Sequence, residues 1–145
     1  LMPNHFHILI KGKDDNDISK FMQKLSTAYV MYYNKKYRRS GGLFEGKFKS
    51  EYLGTDRYLK YIFSYIHLNP IKLLQKDWKE NGIKNKTKSV EYLNKYKFSS
   101  YLDYTGTMRK QNIILDQKDY PRYFPSVLNF KQEIMDWLNF DNAHE

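Results

Sequence analysis

HFHILIKG (residues 5–12) decides the fold. In an extended chain side chains alternate between two faces, so His5 and His7 share one face while Ile8 and Ile10 take the other. The stretch is expected to be a strand, with the Cα atoms of the two histidines roughly 7 Å apart, a spacing that suits two imidazoles converging on one ion. KDDND (13–17) then reads as a polar turn supplying Asn16 or Asp17 as a helix N-cap.

The helix expected next has Ile18, Phe21, Met22, Leu25, Ala28, Tyr29 and Tyr32 on one buried stripe. Its end carries Lys35, Lys36, Arg38 and Arg39, cations that suit a helix C-terminus, before SGG (40–42) stops it. LFEGKFKSEYLG (43–54) alternates Phe48 and Ser50 against Lys47, Lys49 and Glu51 in the manner of a second strand, with Gly46 permitting a turn or bulge. Thr55 or Asp56 can cap a second helix from about Arg57 to Leu68, with Leu59, Ile62, Phe63 and Ile66 as its apolar stripe. Pro70 ends or kinks it. Strand, helix, strand, helix is an α/β (α+β) order.

Farther on the pattern weakens. KENGIKNKTKS (79–89) has the composition of an exposed loop, and KYKFSSYLDYTG (95–106) that of a short amphipathic piece ending at Gly106. Phe130, Ile134, Trp137 and Leu138 predict one more helix near the end of the sequence. The expected organisation is a core over residues 1–75 followed by a helical extension over 76–145.

Composition narrows the partner. The 145 residues carry 25 Lys and Arg against 16 Asp and Glu, a net charge of +9, and no apolar run long enough to span a bilayer, so the expected partner is a polyanion such as nucleic acid and not a membrane. A mean hydropathy of -0.80 leaves only a modest core. Zero cysteines exclude disulfides and thiolate metal sites, which leaves imidazole, amide or carboxylate as ligands. Aromatics make up 17% of the chain, several interleaved with cations as in YNKKYRR (33–39), a pattern able to stack on unpaired bases while the charges follow phosphates. On that reading Lys35, Lys36, Arg38, Arg39, Lys47 and Lys49 are candidate nucleic-acid contacts; on the plainer one they solvate a helix end and a strand edge, and most of the tyrosines are half-buried packing residues.

Tyr58, Tyr61, Tyr65 and Asn69 are spaced three, four and four residues apart and so run down one face of the second helix. If that face meets His5 and His7, the result is two imidazoles, a neutral amide oxygen and a phenol: a metal centre with a nucleophile beside it. A divalent cation held by His5, His7 and Asn69 could polarise a phosphodiester while Tyr65 attacks phosphorus. Neutral ligands leave the ion's charge uncompensated and attractive to an anion. His67, about 200° round the helix from Tyr65, faces away and is not a candidate ligand. Imidazole ligands by themselves favour Zn, Ni, Cu or Fe, whereas Mg prefers oxygen, so the residues alone point to a borderline ion such as Mn²⁺.

MPNHFHILI, LFEGKFKS, YIHLNP and KYKFSSYLDYTG together resemble the HUH single-tyrosine transposases of the insertion-sequence-200-like group, especially the branch associated with repetitive extragenic palindromes. The HUH pattern, two histidines around a bulky apolar residue, is here His5, Phe6 and His7. The resemblance implies Tyr65 as nucleophile and Asn69, where many members carry Gln, in the place of the third metal ligand. It further implies a ferredoxin-like antiparallel sheet packed with helices, a homodimer, Mg²⁺ or Mn²⁺, and cleavage and rejoining of single-stranded DNA beside hairpins through a phosphotyrosine intermediate. The expected place of action is the bacterial cytoplasm, at the nucleoid. The family has a strand-helix-strand portion ahead of its HUH strand, and Leu1 and Met2 match its interior, so the chain is expected to lack that portion. Two other functions use the same residues: a non-catalytic binder of single-stranded DNA or RNA, and an HUH nuclease of the replication-initiator or relaxase type.

Overall fold

In the computed structural model, residues 1–116 and 124–139 are described, and they divide into two compact units, one of Ile8–Tyr52 and one of Leu1–His7 with the chain from Leu53 onward. Among these residues no strand or sheet forms, so the ferredoxin-like antiparallel sheet expected from the sequence is not observed. Residues 5–12 and 43–53 have neither helix nor ladder, and Ile8 and Ile10 are 43% and 36% exposed. Alternation states which side chains share a face; a strand also needs a ladder of bonds to a neighbouring backbone, and among the described residues neither run forms one.

The unit Ile8–Tyr52 is built on α1 (Asp17–Tyr37). Asn16 occupies the N-cap position in a left-handed conformation without a side-chain cap, while Asp17 Oδ2 accepts from the backbone N–H of Asp14 at 2.9 Å. The helix ends one residue after its last tyrosine, at Arg38, whose φ of 50° turns the chain out of the helix before the glycines are reached. The N–H of Arg39 then donates to the Asn34 carbonyl, and the Asn34 amide donates to Gly41 O, so the exit is hydrogen-bonded on both sides. The stripe expected to be buried is largely open. Met22 alone is buried, whereas Phe21, Leu25, Tyr29 and Tyr32 are exposed, because one helix with irregular flanks offers little to cover it.

In the other unit α2 (Asp56–Leu68) forms where its stripe predicts, capped by Thr55, whose Oγ1 accepts from the N–H of Tyr58 at 3.2 Å. Pro70 does not stop the helical path. Its fixed φ fits the start of a 3₁₀ turn over Asn69–Leu73, which carries Asn69, Pro70 and Ile71 into the interior. Beyond it come α3 (Trp78–Asn81), α4 (Lys86–Lys95), α5 (Tyr101–Tyr104) and α6 (Val127–Asn139). The stretch 79–89 is therefore no simple loop: Asn85 caps α4 by accepting from Lys88 N at 2.9 Å, and Ser89 and Leu93 are buried.

The core of this unit joins α2 to α6. Phe63, Leu68, Ile71, Leu93, Phe130, Ile134 and Leu138 are each 3% exposed or less. Phe63 stacks on Phe124 at 4.6 Å, meets Tyr104 edge-on at 5.0 Å and meets Phe130 of α6 edge-on at 6.0 Å, an aromatic cluster that joins α2 to α6. Lys60 of α2 and Glu133 of α6 are paired at 2.7 Å on the rim. Arg109 ties down the segment between α4 and α5, donating to the Asp103 carboxylate and to the carbonyls of Lys97 and Ser99. Among the described residues no helix is long and apolar enough to cross a membrane.

Candidate metal and nucleophile centre

Two pieces of one unit meet at the site: the segment 1–7 and the C-terminal half of α2 with its 3₁₀ extension. The segment is held at its start and by a turn of its own. Met2 N–H donates to His5 O at 2.8 Å, closing a turn through Pro3 and Asn4, and the Tyr96 hydroxyl donates to Leu1 O at 2.6 Å. α2 contributes Tyr65, and Asn69 follows one turn later with only 3% of its surface exposed.

The sequence-predicted residues come together here. The His5 and His7 rings lie 5.1 Å apart at an interplanar angle of 77°, and the His7 ring is 5.7 Å from that of Tyr65. The Asn69 amide reaches His5 Nε2 at 3.5 Å. On the far side, His5 Nδ1 lies 2.8 Å from Asn4 Oδ1. A carboxamide oxygen only accepts, so the ring proton sits on Nδ1 and the lone pair on Nε2 points at Asn69. The pKa of His7 is lowered, first by burial and then by the nearby cationic groups His5, the amino terminus and Lys79.

These groups fit a small divalent ion. Ligands about 2.1 Å from one metal and about 100° apart are about 3.2 Å from each other, and two imidazole rings so bound have centroids about 5 Å apart. The structure has 3.5 Å between His5 Nε2 and the Asn69 amide and 5.1 Å between the rings. A half-turn of the carboxamide puts Oδ1 in the place of Nδ2 and completes a set of two nitrogens and one oxygen. Among the described residues no cluster of three or more His, Cys, Asp or Glu could bind a metal. That leaves an imidazole and amide set as the candidate.

Tyr65 is half-buried and its ring is well surrounded. Tyr61 lies nearly parallel to it at 6.4 Å, Trp78 at 6.4 Å, and Lys79 Nζ stands 3.9 Å from the ring centroid in cation–π geometry. Neither Trp78 nor Lys79 was a candidate on sequence, because the polar composition after residue 75 conceals the short helix α3 that turns them toward Tyr65. His67, set aside on sequence, is buried on the opposite side of α2 between Phe63 O at 2.7 Å and Ser100 Oγ at 2.8 Å. The six cations named as nucleic-acid contacts, Lys35, Lys36, Arg38, Arg39, Lys47 and Lys49, are exposed and belong to the unit Ile8–Tyr52, so the cluster itself contains none of them. Lys36 sits over the Tyr37 ring at 5.4 Å and Arg39 over Tyr33 at 5.7 Å.

Two imidazoles, a carboxamide and a phenol gathered in this way define a class of centre, a candidate nitrogen and oxygen ligand set with a tyrosine at its edge. Residues 1–69, which include all four, match the model of the family described as Transposase IS200 like. The stretch of chain that carries the site is thus similar to the IS200-like transposases, a family of DNA-processing enzymes. No curated protein and no solved structure matches the chain.

Proposed function

We propose that this chain is a single-stranded DNA transposase that cuts and rejoins its substrate through a covalent link to Tyr65. The observation that carries the reading is the convergence of His5, His7, Tyr65 and Asn69 within one unit, at spacings suited to one ion and one nucleophile. Tyr65 supplies the oxygen. As its bond to phosphorus forms, the ester bond to one side of the strand breaks, and the phenolic proton ends on the hydroxyl of the released strand. Ester is exchanged for ester, so the energy of the broken bond is retained and a hydroxyl end can reverse the step and rejoin the DNA.

The residues around the phenol act by placing it. His7 and Tyr61 flank the ring, and Lys79 across its face adds a positive charge where a phosphodiester must approach. His5, His7 and Asn69 would hold Mg²⁺ or Mn²⁺, which supplies Lewis-acid polarisation of the phosphate when bound. Asn4 fixes the His5 tautomer for that role. With this reading go membership of the branch associated with repetitive extragenic palindromes, hairpin-bearing DNA ends, a homodimer, and action at the nucleoid in a bacterial cytoplasm.

Incubation of the protein with a hairpin-bearing single strand and Mn²⁺ is expected to give a protein–DNA adduct that survives denaturing electrophoresis and disappears in Tyr65→Phe. An adduct that persists in Tyr65→Phe would reject Tyr65 as the nucleophile. The competing role of a non-catalytic strand binder predicts salt-sensitive binding that neither chelator nor His5→Ala disturbs, with no adduct at all.

A further inference from the structure

We propose that the aromatic recess beside Tyr65 is a subsite for one unpaired nucleobase of the strand being cut, an inference that rests on the strand-cleaving function above. The recess has a volume of about 270 Å³ and is walled by Tyr61, Tyr65, Trp78, Ile83 and Trp137, with Lys79 at its edge. This falls below the usual size of a cleft for a drug-sized molecule, and the flat walls suit a single planar ring system. A base pair, already stacked within a duplex, has no way in.

The walls are set in advance. Trp78 and Ile83 are buried at 8% and 9% exposure. The Trp137 indole is fixed by its Nε1–H donating to Glu133 at 3.1 Å, and Glu133 in turn is held by Lys60. Tyr61 packs on Trp137 at 5.2 Å yet remains 36% exposed, which leaves ring surface for a base to cover. Gly82, at a φ of 66°, lines the recess with backbone alone.

The chemistry of the lining selects the ligand. Among the described residues no carboxylate lines the recess, and the cation that does, Lys79, places its Nζ 3.9 Å from the centroid of the Tyr65 ring. A nucleotide seated with its base among the aromatic walls would bring its phosphate to Lys79, next to the Tyr65 hydroxyl. Stacking of this kind is tolerant of sequence because every base has a π-face. The subsite therefore positions the strand without dictating which base occupies it.

The chain's two tryptophans, Trp78 and Trp137, both line the recess, so intrinsic indole fluorescence reports on it alone. The full chain is titrated with single-stranded oligothymidylate and with an abasic strand of the same number of phosphates. Oligothymidylate is expected to quench the fluorescence and to bind about five-fold or more tightly than the abasic strand, the loss expected for one stacked base. Tyr61→Ala should remove that preference while Tyr61→Phe retains it, with far-UV circular dichroism checking that both variants are folded. Equal affinity for the two strands, or quenching and preference undiminished in folded Tyr61→Ala, overturns the subsite and leaves the strand-cleaving function standing. If neither strand binds, that function falls and the subsite with it.

Discussion

His7 and His67 are both held as neutral imidazoles, for opposite purposes. His7 stays half-accessible beside Tyr65, where a free lone pair is what the proposed metal ligand needs. His67 is spent on architecture: Nδ1–H donates to Phe63 O and Nε2 accepts from Ser100, which ties α2 to α5 across the core. Burial pushes its pKa down to about 4, against smaller opposing effects of the Phe63 carbonyl and the Asp103 charge. The unfolded chain takes up this proton near pH 6.5 and the folded one only near 4. Between those values the unfolded state holds more protons, so stability is full above pH 6.5 and falls as pH drops toward 4. A loss on the order of 3 kcal/mol is expected from this group. Urea midpoints measured across that window should show the slope, and His67→Gln should flatten it.

At the scale of the element, α2 carries the site, and local chemistry governs where it starts. Thr55→Ala removes the bond from its Oγ1 to Tyr58 N and should lower unfolding free energy by about 1 kcal/mol, measured by thermal or urea denaturation. α2 and α6 were legible because each has an apolar stripe at helical spacing that the core does bury, through Phe63 and Leu68 in one and Phe130, Ile134 and Leu138 in the other. α4 was hidden because its exposed positions, Lys86, Thr87, Lys88, Glu91, Asn94 and Lys95, are all polar or charged, and only Ser89 and Leu93 are buried. For α1 the stripe predicted the helix and failed on burial, since periodicity reports which residues share a face and leaves open whether anything covers it. The alternation in 5–12 and 43–54 failed in the same way, since no ladder forms along either run among the described residues.

Across the whole molecule the excess of +9 sets how a polyanion is met. Contact with about three phosphates of a single strand corresponds to a salt slope near −2, so affinity for oligothymidylate should fall about 20-fold between about 50 and about 200 mM salt. Fluorescence titrations at the two concentrations measure it; a flat response would mean that the surplus cations lie away from the strand. The charge, the absence of thiol ligands, the capped start of α2 and the register of Tyr65 with Asn69 follow from the sequence by itself, because each depends on residue type or on neighbours within a helical turn or two. The approach of His5 and His7 to Tyr65 was a condition the sequence could pose without meeting, sixty residues being too far for local rules to act. Tertiary structure decided it, through Tyr96 holding the first residues and Pro70 continuing α2 inward with Asn69. It also placed Trp78, Lys79 and Trp137 around the same phenol, since packing brings together side chains from separate helices that no spacing along the chain relates.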